Sequence, residues 1–212
     1  SFSLKKHNFE ESLYEKMRDY SNAVYQKASL ASMFMTDGLA KTENRKYDLK
    51  ITEAEIRDGL ENAKSFSAFL QYAEGLLFYY DIMGKMSDCL DLCKLILNKY
   101  DEHPEYRYLF ANGYISTLGN FCLHTIFFDV SDQTKTRIYE YESLLKDKRM
   151  PINDSLRKEI KVTSFATWFD IYTQQGDFKS LLPRAREVLN DFPQSIDELR
   201  SDLATSVCSM VS

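Results

Sequence analysis

Apolar residues recur at spacings of three and four along nearly the whole chain, and outside residues 36–51 strict alternation is rare. That spacing is helical, because 3.6 residues per turn bring positions i, i+3 and i+4 onto one face. Only 7 Gly and 4 Pro punctuate the 212 residues, less than half of a usual ~12%. The elements must therefore be long, and the fold class is all-α. Hydrophobic residues make up 44%, enough to fill a core rather than leave a disordered chain. Capping-box spacing at Asn8 with Glu11, Thr52 with Glu55 and Ser195 with Glu198 predicts three helix starts. Ser87, Ser131 and Asp154 read as simpler N-caps.

An internal repeat organises these helices. Superposing Gly84 on Gly176 pairs Tyr80 with Tyr172, Leu70 with Val162, Met86 with Phe178, Leu90 with Leu182 and Ile96 with Val188. A middle copy around Asp132 adds Phe128 at the Tyr80 position, Leu118 at Leu70 and Ile138 at Leu90. Three helical hairpins follow, over 65–100, 105–146 and 155–192, with long first helices at 65–83, 105–130 and 155–175. A lone hairpin cannot bury its own apolar face, so the copies are expected to stack. Residues 8–35 read as an N-terminal helical segment, one long or kinked helix pair, and 52–63 as a leading helix. The charged stretch 36–51 reads as a solvated connection. Ser195–Ser212 carries Ile196, Leu199, Leu203, Val207 and Met210 at helical spacing, the first helix of a fourth, truncated hairpin. The whole is expected to be a single domain and a fragment of a longer chain, since Ser1 is not an initiator Met.

The stretches YYDIMGKMSDCLDLCKLILNKY and FDIYTQQGDFKSLLPRAREVLNDFP resemble degenerate tetratricopeptide repeats over residues 65–193. Each has an aromatic near the end of the inner helix, then Gly84 or Gly176, then Met86 or Phe178 opening the outer helix. The copies are 44 to 48 residues apart rather than ~34, and Leu77, Thr125 and Phe169 replace the usual small inner-helix residue. The middle turn carries Asp132 in place of Gly. On spacing alone a HEAT-like or other α–α superhelix fits as well. The resemblance implies a right-handed α–α superhelix of stacked hairpins acting as a protein or peptide interaction scaffold. It also implies a concave groove lined by inner-helix positions: Gln71, Glu74, Phe78 and Asp81 in the first copy; Gly119, Cys122, Ile126 and Asp129 in the second; Thr163, Ala166, Asp170, Thr173 and Gln174 in the third. An Asp in the last turn of a helix opposes the macrodipole at about 0.3–1 kcal/mol. Its recurrence at Asp81 and Asp129, with Asp170 one turn earlier, suggests an acidic groove for a basic or amino-terminal peptide. The competing reading is of solvated turn residues, with Asp81 paired to Lys85.

Charge and composition narrow the alternatives. The net charge of −5 argues against a general nucleic-acid or anionic-membrane binder. Lys146, Lys148, Arg149, Arg157, Lys158 and Lys161 form a basic set that could hold phosphates or an acidic partner, although a solvated edge is the plainer reading. Cys89, Cys93, Cys122 and Cys208 all fall in apolar helical patterns and read as reduced, buried thiols. Cys122 and His124, two apart on a helix, point about 200° away from each other and cannot share an ion, so no metal site is expected. No phosphate loop, H-E-x-x-H or G-x-S-x-G motif is present, and the chain is expected not to be an enzyme and to need no cofactor. No signal peptide is evident and no apolar run approaches the ~18 residues of a membrane span, so a cytoplasmic location is expected. Two other functions fit the architecture. One is the effector-binding module of a transcription regulator whose DNA-binding domain lies outside this chain. The other is a catalytic or accessory α-solenoid with a closed pocket near His124.

Overall fold

The computed structural model describes residues 2–37, 53–128 and 130–191. These residues form helices and turns, with no strand among them. The chain divides into two compact units, Ser1–Glu102 and His103–Ser212.

The first unit contains α1 (Phe2–Asp37), α2 (Glu53–Glu61), α3 (Phe66–Ile82) and α4 (Met86–Glu102). Most of the circumference of α3 is apolar, with Ala68, Leu70, Tyr72, Ala73, Leu76 and Tyr80 all buried, and Gln71 and Glu74 share the remaining face. A helix with so wide an apolar surface must be covered from several sides, and α3 packs against α1, α2 and α4. Gly75 faces α1, where an added Cβ would make ordinary contact at 3.6 Å from Lys27 Cβ. Gly59 on α2 is under stronger constraint, since a Cβ would sit 2.5 Å from Cε1 of the buried Tyr72 ring. The outer helix α4 is amphipathic and buries Cys89, Leu92, Cys93, Ile96 and Tyr100 at helical spacing.

The second unit contains α5 (Tyr106–Leu109), α6 (Ala111–Thr125), α7 (Asp132–Ser143), a 3₁₀ turn (Leu144–Lys146), α8 (Asp154–Gln175) and α9 (Phe178–Asp191). Here α8 is central and packs on α6, α7 and α9. Trp168 is its buried hub, stacked on Tyr172 with ring centroids 5.3 Å apart and touching Tyr139 at 5.0 Å. Phe165, Leu181 and Val188 close the α8–α9 seam. Within each unit a helix pair is followed by a helix that packs on both of its members: α3 on α1 and α2, α8 on α6 and α7.

The turns closing α3 and α8 are duplicates. Gly84 and Gly176 take left-handed φ values of 65° and 70°. Lys85 N donates to Tyr80 O and Asp177 N to Tyr172 O, both at 2.8 Å, while the glycine amides donate to Asp81 O and Thr173 O, both at 3.1 Å. This is the closure that a left-handed glycine allows at a helix end. It occurs at the expected offset.

Several expectations need correction. The N-terminal segment is one continuous helix that begins before Asn8, so the Asn8/Glu11 signature lies inside it; helical continuation on both sides overrides the local cap. Ser87 falls within the first turn of α4, because Met86 already begins that helix. Asn153 rather than Asp154 caps α8, accepting from Leu156 N at 2.8 Å. Ser131 does cap α7, accepting from Thr134 N at 3.3 Å. The expected helix 105–130 is broken at Phe110 (φ −124°, ψ 45°) and ends at Thr125. The break leaves Leu109 exposed and turns Ala111, Tyr114, Ile115 and Leu118 into the core. Asp132 is the first residue of α7, not a left-handed turn residue. The aligned aromatics differ in setting: Tyr80 is 1% exposed, Tyr172 partly buried, and Phe128, beyond the end of α6, is 37% exposed. Leu182, aligned with the buried Leu90, is 54% exposed, because α9 turns Leu181 inward instead. Thr52, Asp129 and residues 195–212 lie outside the described residues.

Candidate interaction site on α8

The inner-helix positions of the first copy do not share one environment. Lys27 on α1 donates to Gln71 Oε1 at 3.3 Å and pairs with Glu74, so both belong to the α1–α3 seam rather than to an open groove. Phe78 and Asp81 are exposed near the end of α3. Lys85, the expected partner of Asp81, reaches Glu53 at 2.7 Å. Glu53 also accepts from Arg57 Nε at 2.9 Å and from Tyr80 OH at 3.1 Å. Burial raises the Glu53 carboxyl, but the hydrogen bonds from Lys85, Arg57 and Tyr80 outweigh it and leave the pKa below the usual value. Asp19 plays a similar part nearby, accepting from Tyr72 OH at 3.1 Å and Lys64 N at 2.7 Å. Burial and that bond push the Tyr72 phenol up to about 12.

The third-copy residues are arranged differently. Asp170, Thr173 and Gln174 fall on one side of α8, since steps of three and four return to the same face. Asp170 is partly buried and has no hydrogen bond or ion pair among the described residues; burial alone pushes its carboxyl up. Thr173 Oγ1 is buried without a partner. Gln174 donates to Ile126 O at 3.3 Å, tying this face to the end of α6. Three members of the proposed set thus come together, two with unused acceptor capacity. Spacing along α3 gave no sign that Gln71 and Glu74 would meet Lys27, which lies 44 and 47 residues away in the chain.

The remaining candidates are absorbed locally. Arg149 is held by Asp147 through bonds of 3.0 and 2.9 Å and lies 4.2 Å from the Tyr108 ring centroid. Its guanidinium holds the Asp147 carboxyl down at about 2. Lys161 pairs with Glu187 at 3.3 Å and with Asp191. Two of the basic set, Arg149 and Lys161, are thus held by acidic neighbours, while Lys146, Lys148 and Arg157 are exposed. His124 is buried in the last turn of α6. Cys89, Cys93 and Cys122 are buried thiols outside any disulfide. Burial pushes the Cys89 thiol up to about 11 and the Cys122 thiol up as well, which keeps both un-ionised at neutral pH. Among the described residues no helix is long and apolar enough to cross a membrane. Compared with known protein families, curated proteins and solved structures, the chain matches none of them.

Proposed function

We propose that this chain is a protein-interaction module of stacked helix pairs, built on a tetratricopeptide-like superhelical plan, and that it docks a basic segment of a partner against α8. The observation that carries the reading is Asp170, a partly buried carboxylate with no counter-charge among the described residues. A charge removed from water without a partner is unfavourable. A lysine or arginine side chain supplied by another protein relieves that cost and gains a charge-assisted hydrogen bond. Gln174, exposed on the same face of α8, presents its amide oxygen beside the carboxylate to the same incoming donor. Within each unit one helix packs on the preceding pair, which supports an ordered surface on α8 that spends little ordering entropy on binding. A binding role without catalysis fits this arrangement, and a cytoplasmic setting fits thiols that stand outside any disulfide.

The test is fluorescence anisotropy with labelled Lys/Arg-rich peptides and their acidic counterparts. Basic peptides should bind in a salt-sensitive manner, and Asp170→Asn should weaken them about tenfold, the size of one hydrogen-bonded charge contact. Equal affinity for the wild type and Asp170→Asn, or a preference for acidic peptides, would refute the proposal.

A further inference from the structure

Helix α8 has a second polar face. At 3.6 residues per turn, Lys161, Ser164 and Phe165 fall roughly opposite Asp170, Thr173 and Gln174. They line a cleft of about 290 Å³ between the end of α7, the 3₁₀ turn, α8 and α9. That volume is at the small end of ligand pockets, which run from ~300 to 1,000 Å³. It suits a single small molecule rather than a nucleotide or a folded partner.

The polar wall of this cleft is complete except at two places. Glu142 accepts from Trp168 Nε1 at 3.0 Å and pairs with Arg184, while Lys161 is held by Glu187 and Asp191. Ser164, by contrast, is 3% exposed and its Oγ has no hydrogen-bond partner. A serine inside a helix commonly returns its hydroxyl to the preceding turn; this one is left free at the wall of the cleft. Lys146, at the end of the 3₁₀ turn, lines the same cleft and has no ion-pair partner among the described residues. The Ser164 hydroxyl can donate and the exposed Lys146 ammonium carries a positive charge, so an anionic oxygen is the group that suits this end of the cleft.

The overall charge narrows the class further. Lys146, Lys161 and Arg184 line the cleft with Glu142 and Glu187, and Asp191, just outside the lining, pairs with Lys161 and brings the charges into balance. A neutral wall exerts no net attraction on a polyanion, and such a ligand would have to separate Lys161 from its carboxylates. An uncharged apolar ligand would leave Ser164 unsatisfied. Glu187 is 67% exposed along its side chain and holds Lys161 through one 3.3 Å bond, so it retains acceptor capacity for a cation. Leu145, Phe165 and Val188 supply an apolar lining.

We propose that this cleft binds a free α-amino acid with an apolar side chain. Its carboxylate meets Ser164 and Lys146, its ammonium group meets Glu187, and its side chain lies against Leu145, Phe165 and Val188. The site is independent of peptide docking at Asp170, because it uses the opposite face of α8 and a different ligand.

Isothermal titration of the 212-residue chain with L-leucine and L-phenylalanine tests the assignment. One-to-one saturable binding is expected for at least one of them. Against L-leucine, 4-methylpentanoate, which lacks the ammonium group, and 3-methylbutylamine, which lacks the carboxylate, should each bind at least tenfold more weakly. Ser164→Ala and the surface variant Lys146→Gln should each weaken amino-acid binding about tenfold, and Glu187→Gln should weaken L-leucine without affecting 4-methylpentanoate. The proposal is overturned if neither amino acid binds saturably, if an analogue or inorganic phosphate binds as tightly as the amino acid, or if Ser164→Ala and Lys146→Gln both bind like the wild type. Peptide affinity is read in a separate titration, so failure of either assignment leaves the other standing.

Discussion

In the first unit Glu53 collects donors from Lys85, Arg57 and Tyr80, whereas in the second unit Asp170 has no partner among the described residues although it too is drawn out of water. The contrast extends beyond the two carboxylates. Tyr72 is anchored on Asp19 and Lys27 bridges Gln71 and Glu74, while Ser164 and Thr173 keep buried hydroxyls unmatched. A polar group paired inside the fold stabilises its own unit. One left unpaired costs stability and gains only when something else binds. The two halves differ in degree: Gln26 Oε1 is buried and unpaired in the first, and Glu142 collects Trp168 and Arg184 in the second, but an unpaired part-buried carboxylate stands at Asp170.

Four substitutions probe that division, beginning with the largest effect. Trp168→Ala removes the hub around which Tyr139, Tyr172 and Arg184 gather. It should cost about 3–5 kcal/mol, and hydrogen exchange should show loss of protection centred on α7–α9; equal loss in α1–α4 would mean the units do not melt separately. Gly59→Ala gains at most ~1 kcal/mol of helix propensity but drives a Cβ into the Tyr72 ring, and overpacking typically costs about 1–3 kcal/mol. The net effect should be destabilisation centred on α1–α3, measured by urea denaturation; a stabilised variant would show that the ring moves aside freely.

The last two substitutions have opposite signs. Glu53 has a folded pKa below its usual value of 4.5, so its contribution is present above that pH and is lost as pH falls through the folded value. Glu53→Gln should destabilise by about 1 kcal/mol at pH 7, reduced by its partial exposure, with the difference from wild type closing in acid. Asp170 has a raised folded pKa. Its protonated form is favoured by folding, so the charge costs stability above the carboxylate range and nothing below it. Asp170→Asn should therefore stabilise slightly at pH 7, by less than about 1 kcal/mol, and match the wild type in acid. Thermal melts from pH 3 to 7 measure both, and a destabilised Asp170→Asn would reveal that the carboxylate is paired after all.

Much of the helical layout was legible because its causes are local. The period of three and four defined the helices, and Gly84 and Gly176 marked two turns whose closing bonds require a left-handed residue. The middle copy escaped the same logic. No glycine stands there, the chain breaks at Phe110, and the aligned Phe128 falls outside α6. Matching residue types could not distinguish an inward aromatic from an exposed one.

The candidate sites depended more heavily on packing. Asp170, Thr173 and Gln174 could be grouped from spacing along one helix, since one turn brings them to a common face. Gln71 and Glu74 were placed in the same class by analogy, yet α1 lies over them and Lys27 engages both. The interruption of the apolar stripe Ile160, Phe165 and Trp168 by Ser164 was visible in the sequence, but whether its hydroxyl was satisfied was not.

Sequence alone determined that this chain is helical, where two of its hairpins turn, and which residues share a helix face, because each follows from interactions within a few residues. Only the tertiary structure decided which faces are covered and which charges find partners. Those outcomes depend on groups up to 53 residues apart in the chain, as Asp19 and Tyr72 are, and local spacing carries no information about distant neighbours.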